Sequence, residues 1–153
     1  MVTIRPPHDD NDALYDLRCA LDTETTFMLA EPGERLGSRR RLSFQRVADA
    51  DGMLVGVIDV HVLPWRRVEG RGHVVLGVRA SHHRQGIGRA LLQAAIDEAR
   101  RRTMVRLELT TMVHNHAAIA LYQSCGFERE GLRRASVVID GTPVDEIYMG
   151  LVL

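Results

Sequence analysis

Apolar positions recur along this chain with two periods, and the alternation between them predicts its elements. Leu14, Leu17 and Leu21 repeat three and four apart, the stripe of an amphipathic helix closing near Asp22, and Asp9, Asp10 and Asn11 offer N-caps before it. The helical period returns in Ile87, Leu91, Leu92, Ala95, Ile96 and Ala99, which predicts a helix over 86–102. Arg100, Arg101 and Arg102 complement the negative pole of its dipole. A further helix is read over 115–124. Elsewhere the pattern is that of strands: 2–5, stopped by Pro6-Pro7; 42–50 and 53–63, joined at Asp51-Gly52; 73–79; 105–110; and 127–139 and 143–152, hinged at Asp140-Gly141.

Within 53–63, Leu54, Gly56, Ile58, Val60 and Val62 share one face, while Asp59 and His61 interrupt the other. Val105, Leu107 and Leu109 oppose Arg106, Glu108 and Thr110, and in the last strand Ile147, Met149, Leu151 and Leu153 share a face. From 23 to 41 the pattern weakens around Pro32, Gly33 and Gly37. This stretch reads as a loop plus a short helix, placed to form part of a substrate wall. Hairpins mixed with helical crossovers imply an α+β fold, a sheet of about seven strands covered by helices.

Composition narrows the function classes. The chain has 153 residues, 45% of them hydrophobic, which suits one domain over 1–153 with a real core. Its 20 acidic and 20 basic residues balance, so no overall field draws it to nucleic acid or an anionic membrane. No apolar run reaches the length of a membrane span, and the first residues lack the order of a signal peptide; a cytoplasmic protein is expected. Cys19 and Cys125 fit no metal spacing and read as small buried hydrophobes. The seven histidines include His82-His83 and His114-x-His116, which lack the further ligands a metal needs, so no metal is expected. All 20 basic residues are arginine, so the one ordinary amine of the given sequence is its N-terminus.

Candidate chemistry gathers after the run Val74-Val75-Leu76-Gly77-Val78. A short polar loop carries it into Gly86-Ile87-Gly88, and these glycines open the helix over 86–102. Amides at a helix start lack intrahelical partners and carry positive potential, which suits a phosphate; glycine lets an anion come close. A tight structural turn accounts for the glycines equally well. There is no Gly-Lys-Ser/Thr ending, no third glycine of the dinucleotide fingerprint and no kinase-like valine run. What remains is R/Q-x-x-G-x-G/A, here His83-Arg84-Gln85-Gly86-Ile87-Gly88, and this segment resembles the coenzyme A pyrophosphate loop of the GNAT superfamily of N-acetyltransferases. The family's leading Arg or Gln falls on His83, with Arg84 one step later.

A second segment, Asn115 to Phe127, resembles the other GNAT signature, N-x-x-A-x-x-L-Y-x-x-x-G-F, at every defined position. Its blander reading makes Asn115 an N-cap, Tyr122 a core aromatic and Gly126 a helix stop. The order of elements is similar to that family throughout. The resemblance implies a mixed, mostly antiparallel seven-stranded sheet flanked by about four helices, with acetyl-CoA as cosubstrate. It further implies that Leu76, Gly77 and Val78 pair with the pantetheine arm, that His83, Arg84, Gln85, Gly86, Ile87, Gly88 and Arg89 hold the pyrophosphate, and that Asn115 bonds the cofactor.

Tyr122 is the candidate general acid toward the leaving thiolate. Glu108, on the polar face of its strand, is the best-placed carboxylate for a base, with Glu24 and His73 behind it; a charge pair with Arg106 or another neighbour suits Glu108 as well. Two other features have bland readings beside functional ones. Arg39-Arg40-Arg41 reads as an acidic-substrate site or a solvated helix end, and Trp65 as a stacking platform or a partly buried aromatic. The expected activity is acetyl transfer to a primary amine of a small molecule: an amino acid, an amino-acid-like toxin or a polyamine. The alternatives are acetylation of a protein N-terminus, as in the ribosomal-protein branch, and a coenzyme A sensor without catalysis. The exposed final strands suit a homodimer.

Overall fold

The alternating stretches form one sheet and the helical ones cover it. The computed structural model describes residues 1–34 and 41–153. In chain order its elements are β1 (Val2–Arg5), α1 (Asn11–Glu24), β2 (Arg41–Ala50), β3 (Met53–Val62), β4 (Arg71–Val78), α2 (Ile87–Arg101), β5 (Arg106–Met112), α3 (His116–Ser124), β6 (Glu128–Ile139) and β7 (Thr142–Val152). A single 3-10 turn, Ala80–His82, stands between β4 and α2. The strand order is β1-β2-β3-β4-β5-β7-β6, antiparallel at every pair except β4 with β5. This is the expected α+β architecture.

The described residues hold three α-helices, one fewer than expected. Residues 25–34 are turns and bends, Arg39 and Arg40 lie outside the described residues, and Arg41 opens β2. Trp65 is 64% exposed, so the partly buried aromatic is corrected to a surface one. Both cysteines are free and half-buried.

Helices on both faces explain why β3 reads as an almost continuous apolar run. Leu14, Leu17 and Leu21 of α1 pack with Val47, Leu54 and Val57 on one side. On the other, Leu91, Leu92, Ala95, Ile96 and Ala99 of α2 pack with Ile58, Val60, Val74, Leu107 and Leu109. Leu54 therefore lies on the α1 side and not with Ile58 and Val60. The cause is a bulge: Ala48 pairs with Gly56 but Asp49 pairs with Leu54, leaving Val55 as an extra residue that flips the alternation. The carbonyl of Val55 accepts from the Arg79 amide at 2.8 Å, which anchors the start of the loop leading to α2.

Candidate active site

A fork in the sheet positions the site. Strands β4 and β5 pair only through Arg71–Arg106, Gly72–Leu107 and His73–Glu108. Beyond that rung β4 continues to Val78 beside β3, and β5 to Met112 beside β7. Among the described residues the β5-facing edge of Leu76, Gly77 and Val78 thus has no strand partner, and an extended chain of amides can add to it as a strand would.

Directly after this edge the loop delivers the start of α2. Gly86 takes φ +77°, and a Cβ built there meets nothing within 4 Å, so the space before the helix is open. Among the described residues no side chain caps the helix, and the first backbone bond runs from the Ala90 amide to the Gly86 carbonyl at 3.0 Å. The amides of Ile87, Gly88 and Arg89 therefore point at the opening, as an anion site requires. Gly88 also serves the packing, since a Cβ on it would stand 3.2 Å from Leu121 and its absence lets α2 approach α3.

The loop side chains divide between tethers and open positions. His83 donates from Nε2 to the Val78 carbonyl at 2.9 Å, tying the loop to the strand end, which explains why its side chain is not in the opening. Arg84, Gln85 and Arg89 are exposed, and Arg84 adopts φ +63°. Glu24, at the end of α1, accepts from the Ala80 amide at 2.8 Å and from Arg79 Nε at 2.7 Å. The amide of Ala80, followed by Arg79, holds its carboxyl below the usual range. Glu24 is thus a tether of the loop.

On α3 the blander roles are all present. Asn115 is the N-cap, its Oδ1 accepting from the Ala118 amide at 3.3 Å. Gly126 takes φ +94° just past the helix end. Tyr122 is buried, with its ring 5.8 Å from that of Phe127. Burial alone pushes its phenol up to about 12.

The opposite face of the fork is polar. A cavity of about 700 Å³ opens there between β3, β4, β5, β7 and β6, with Leu29 as part of its wall. Residues 25–34 are held there by contacts that include Phe27, whose ring lies tilted 5.1 Å from that of His114 in the turn before α3, and Met28, which packs on the α1-side core. Glu108 lines the cavity between Arg71 (3.3 Å) and Arg106 (3.1 Å), and Arg106 also holds Glu130 at 2.6 Å. The charge pair read from sequence is thus present. The Glu130 contact, then the Glu108 charge, raises the Arg106 guanidinium, while Arg106 lowers Glu130.

Other lining residues went unnamed as site candidates in the sequence: His61, Arg133, Glu146 and Tyr148. Strand alternation puts each on a face, but only the register brings them together. Arg133 stacks 5.2 Å from the Tyr148 ring and lies 3.8 Å from Glu146, a loose pair. Behind His61, Asp59 accepts from Arg18 Nη2 at 2.8 Å and from Gln45 Nε2. Among the described residues no group of three or more His, Cys, Asp or Glu is arranged to hold a metal ion, and no helix is long and apolar enough to cross a membrane.

Known proteins share both the sequence signals and the fold. The [Ribosomal protein bS18]-alanine N-acetyltransferase of Escherichia coli K12 is 41% identical over 76 residues, 50% of this chain and 51% of that protein; the chain spans about half the length of this relative. The L-amino acid N-acetyltransferase AaaT of the same organism is 34% identical over 123 residues, 78% of this chain and 74% of AaaT. A structure from Salmonella typhimurium with its cofactor acetyl-CoA superposes with a TM-score of 0.86 at 21% identity, covering 99% of this chain and 94% of that one. The family profile described as acetyltransferase (GNAT) family matches residues 6–127, which spans β4, the glycine loop and the Asn115–Phe127 signature, and the chain belongs to that family.

Proposed function

We propose that residues 1–153 form a single cytoplasmic domain that transfers the acetyl group of acetyl-CoA directly to the primary amine of a small, amino-acid-like molecule. The observation that carries this reading is the fork: a strand edge without a partner leads straight to uncapped amides at a helix start. Leu76, Gly77 and Val78 would pair with the pantetheine arm, and the amides of Gly86, Ile87, Gly88 and Arg89 would hold the pyrophosphate, with Arg84 and Gln85 beside them. His83 serves this loop as a tether, and Asn115 contributes through its amide nitrogen, since its oxygen caps α3. When bound, acetyl-CoA supplies an acyl group already activated as a thioester.

The protein's own residues handle the protons. Tyr122 keeps its proton on Oη, because burial pushes the phenol to about 12. Passing it to a thiolate whose thiol has an ordinary pKa of ~8.5 runs uphill by roughly 5 kcal/mol. Tyr122 therefore acts as a hydrogen-bond donor that steadies charge on a leaving sulfur. Glu108 presents a fixed negative charge to the incoming amine.

The cavity supports an acceptor that carries both charges. Guanidinium groups of Arg71, Arg106 and Arg133 line it together with the carboxylates of Glu108, Glu130 and Glu146. Arg133 is 46% exposed and only loosely paired, so it is free to take an acceptor carboxylate. An amino acid matches this lining better than a polyamine does, in keeping with the L-amino acid activity named for AaaT.

A second reading, acetylation of a protein N-terminus, is favoured by a further cavity of about 560 Å³ that shares Leu29 with the first and runs toward Val137–Asp140. Such a path suits an extended peptide, and the bS18-alanine acetyltransferase is a relative. Released thiol, measured with acetyl-CoA and a panel of free amino acids, polyamines and short peptides, separates the readings. Turnover with amino acids supports the first and turnover with peptides alone the second. Binding of acetyl-CoA without release for any amine leaves the sensor. The edge strand β6, with exposed Leu132 and Val138, supports a homodimer, readable as a doubled mass in light scattering.

A further inference from the structure

We infer that Asp145 is a positioning residue for the acceptor: it pins a bulge in β6 that holds Arg133 over Tyr148, where the guanidinium binds the acceptor carboxylate. This assignment rests on the amino-acid reading proposed above and deepens it. It starts from the register of β6 on β7. Arg133 pairs with Glu146 and Val137 with Val144, so residues 134–136 stand opposite Asp145 alone. An earlier shift leaves Glu130 as an extra residue between the pairs Arg129–Met149 and Gly131–Tyr148. Residues three apart in a regular strand face opposite ways, yet Glu130 and Arg133 both line the cavity. The irregular edge aims them there, against the strand period.

The second bulge is held in a conformation that its own residues disfavour. Ala135 takes φ +50°, in the left-handed region that crowds a Cβ. What fixes it is Asp145, whose Oδ1 accepts from the Ala135 amide at 2.7 Å. Asp145 is anchored from the other side in turn, because its carbonyl accepts from the Val113 amide at 3.0 Å, just past the end of β5. Beside it, Ser136 Oγ donates to Glu146 Oε1 at 2.8 Å. The bulge is thus tied to two consecutive residues of β7. Backbone strain sustained by its neighbours in this way concentrates at active sites and ligand clamps.

The clamp here is the guanidinium of Arg133. It lies 5.2 Å from the centre of the Tyr148 ring, which supports it through a cation–π contact. Glu146 Oε1 stands 3.8 Å from its Nη1, beyond hydrogen-bond reach, so this pairing leaves N–H donors for a second carboxylate. Across the ladder from Tyr148 is Gly131, where a Cβ would meet nothing within 4 Å among the described residues, so there is room for a ligand beside the ring. A guanidinium grips a carboxylate with two parallel N–H donors, which a carboxamide cannot match. Arg133 therefore selects an amino acid over its amide or a plain amine.

The test compares two acceptors: the free L-amino acid that wild type acetylates fastest, and its α-carboxamide, which keeps the amine and side chain without the negative charge. Wild type is expected to favour the acid in kcat/KM by roughly tenfold or more. Arg133→Gln should bring that ratio to about one by raising KM for the acid. Asp145→Ala should do the same without touching the acceptor, with acetyl-CoA affinity within about twofold. Asp145→Asn keeps an oxygen for the Ala135 amide and should retain most of the preference. A merely structural role would lower both acceptors alike and leave the ratio where it was. A wild-type ratio in Arg133→Gln overturns the carboxylate role. A ratio that falls in Arg133→Gln but holds in Asp145→Ala, or one that collapses equally in Asp145→Asn, overturns the positioning role. Wild type that uses acid and amide equally overturns both. Wild type that acetylates only peptides, or no amine at all, overturns the amino-acid reading itself.

Discussion

Gly77 and Leu21 approach so closely that a Cβ on Gly77 would stand 2.6 Å from Leu21 Cδ1. Leu21 is buried in the penultimate turn of α1, and one turn later Glu24 grips Arg79 and Ala80. The contact thus sets both the seat of α1 on β4 and the entry to the glycine loop. Gly77→Ala is expected to destabilise the fold by about 1–3 kcal/mol through overpacking, and Leu21→Ala by about 2–5 kcal/mol through the cavity it leaves. The double variant should cost clearly less than the sum, because the added methyl occupies the vacated space. Urea unfolding of the four proteins reads this, and strict additivity would remove the contact as the cause.

Much of this was legible because the signals are local. Periodicity located α1, α2 and all seven strands, and Asp51-Gly52 and Asp140-Gly141 both prove to be turns. What escaped depends on pairing between distant segments. The Val55 bulge reversed the expected side of Leu54, and no feature of 53–63 by itself announces a bulge. The fork arises where β4 stops pairing with β5, strands separated by a whole helix. Similarly, Arg71, Arg106, Glu108 and Glu130 meet through β4, β5 and β6, so the sequence showed a polar face without its partners. Residues 25–34 have neither period, and their place shows only in contacts with distant segments, Phe27 with His114 and Met28 with the α1-side core.

Gly86→Ala tests the anion seat. A Cβ at φ +77° costs about 1 kcal/mol of backbone strain wherever it occurs, and Gly141, in the β6–β7 turn, has the same φ with the same open surroundings. The two alanine variants should therefore lose similar stability. Only Gly86→Ala should also weaken coenzyme A binding, by roughly tenfold or more, since its methyl enters the space before the α2 amides. Calorimetric titration of both variants decides it; equal affinities would mean that Gly86 serves the turn alone.

Tyr122→Phe keeps the packing against Phe127 and removes only the hydroxyl. With the phenol held protonated to about pH 12, wild-type activity should show no loss of this donor up to at least about pH 10. The variant should lose roughly 100-fold in kcat with acetyl-CoA affinity within about twofold. Steady-state rates beside a binding titration check it, and unchanged turnover would take Tyr122 out of the mechanism.

Glu98 tests how acid unfolds the protein. Buried at the end of α2, it accepts from Arg102 Nε at 2.6 Å and Arg46 Nη2 at 2.8 Å and also pairs with Arg101. The Arg102 bond, then the charges of Arg46 and Arg101, hold its carboxyl below the ordinary 4.5. In the unfolded chain it returns to that value, so below about pH 4.5 the unfolded state binds more protons than the folded one. The stabilisation is complete above this pH and is lost as pH falls through the folded value. Glu24, Asp10, Asp49 and Glu130 shift in the same direction. Glu98→Gln should cost on the order of 2 kcal/mol near pH 7, since it leaves the partly buried Arg46 without its counter-charge. The gap between wild type and variant should narrow as the pH drops from about 5 toward 3. Urea unfolding across that range measures the gap, and a constant difference would show that the arginines hold Glu98 by packing and not by charge.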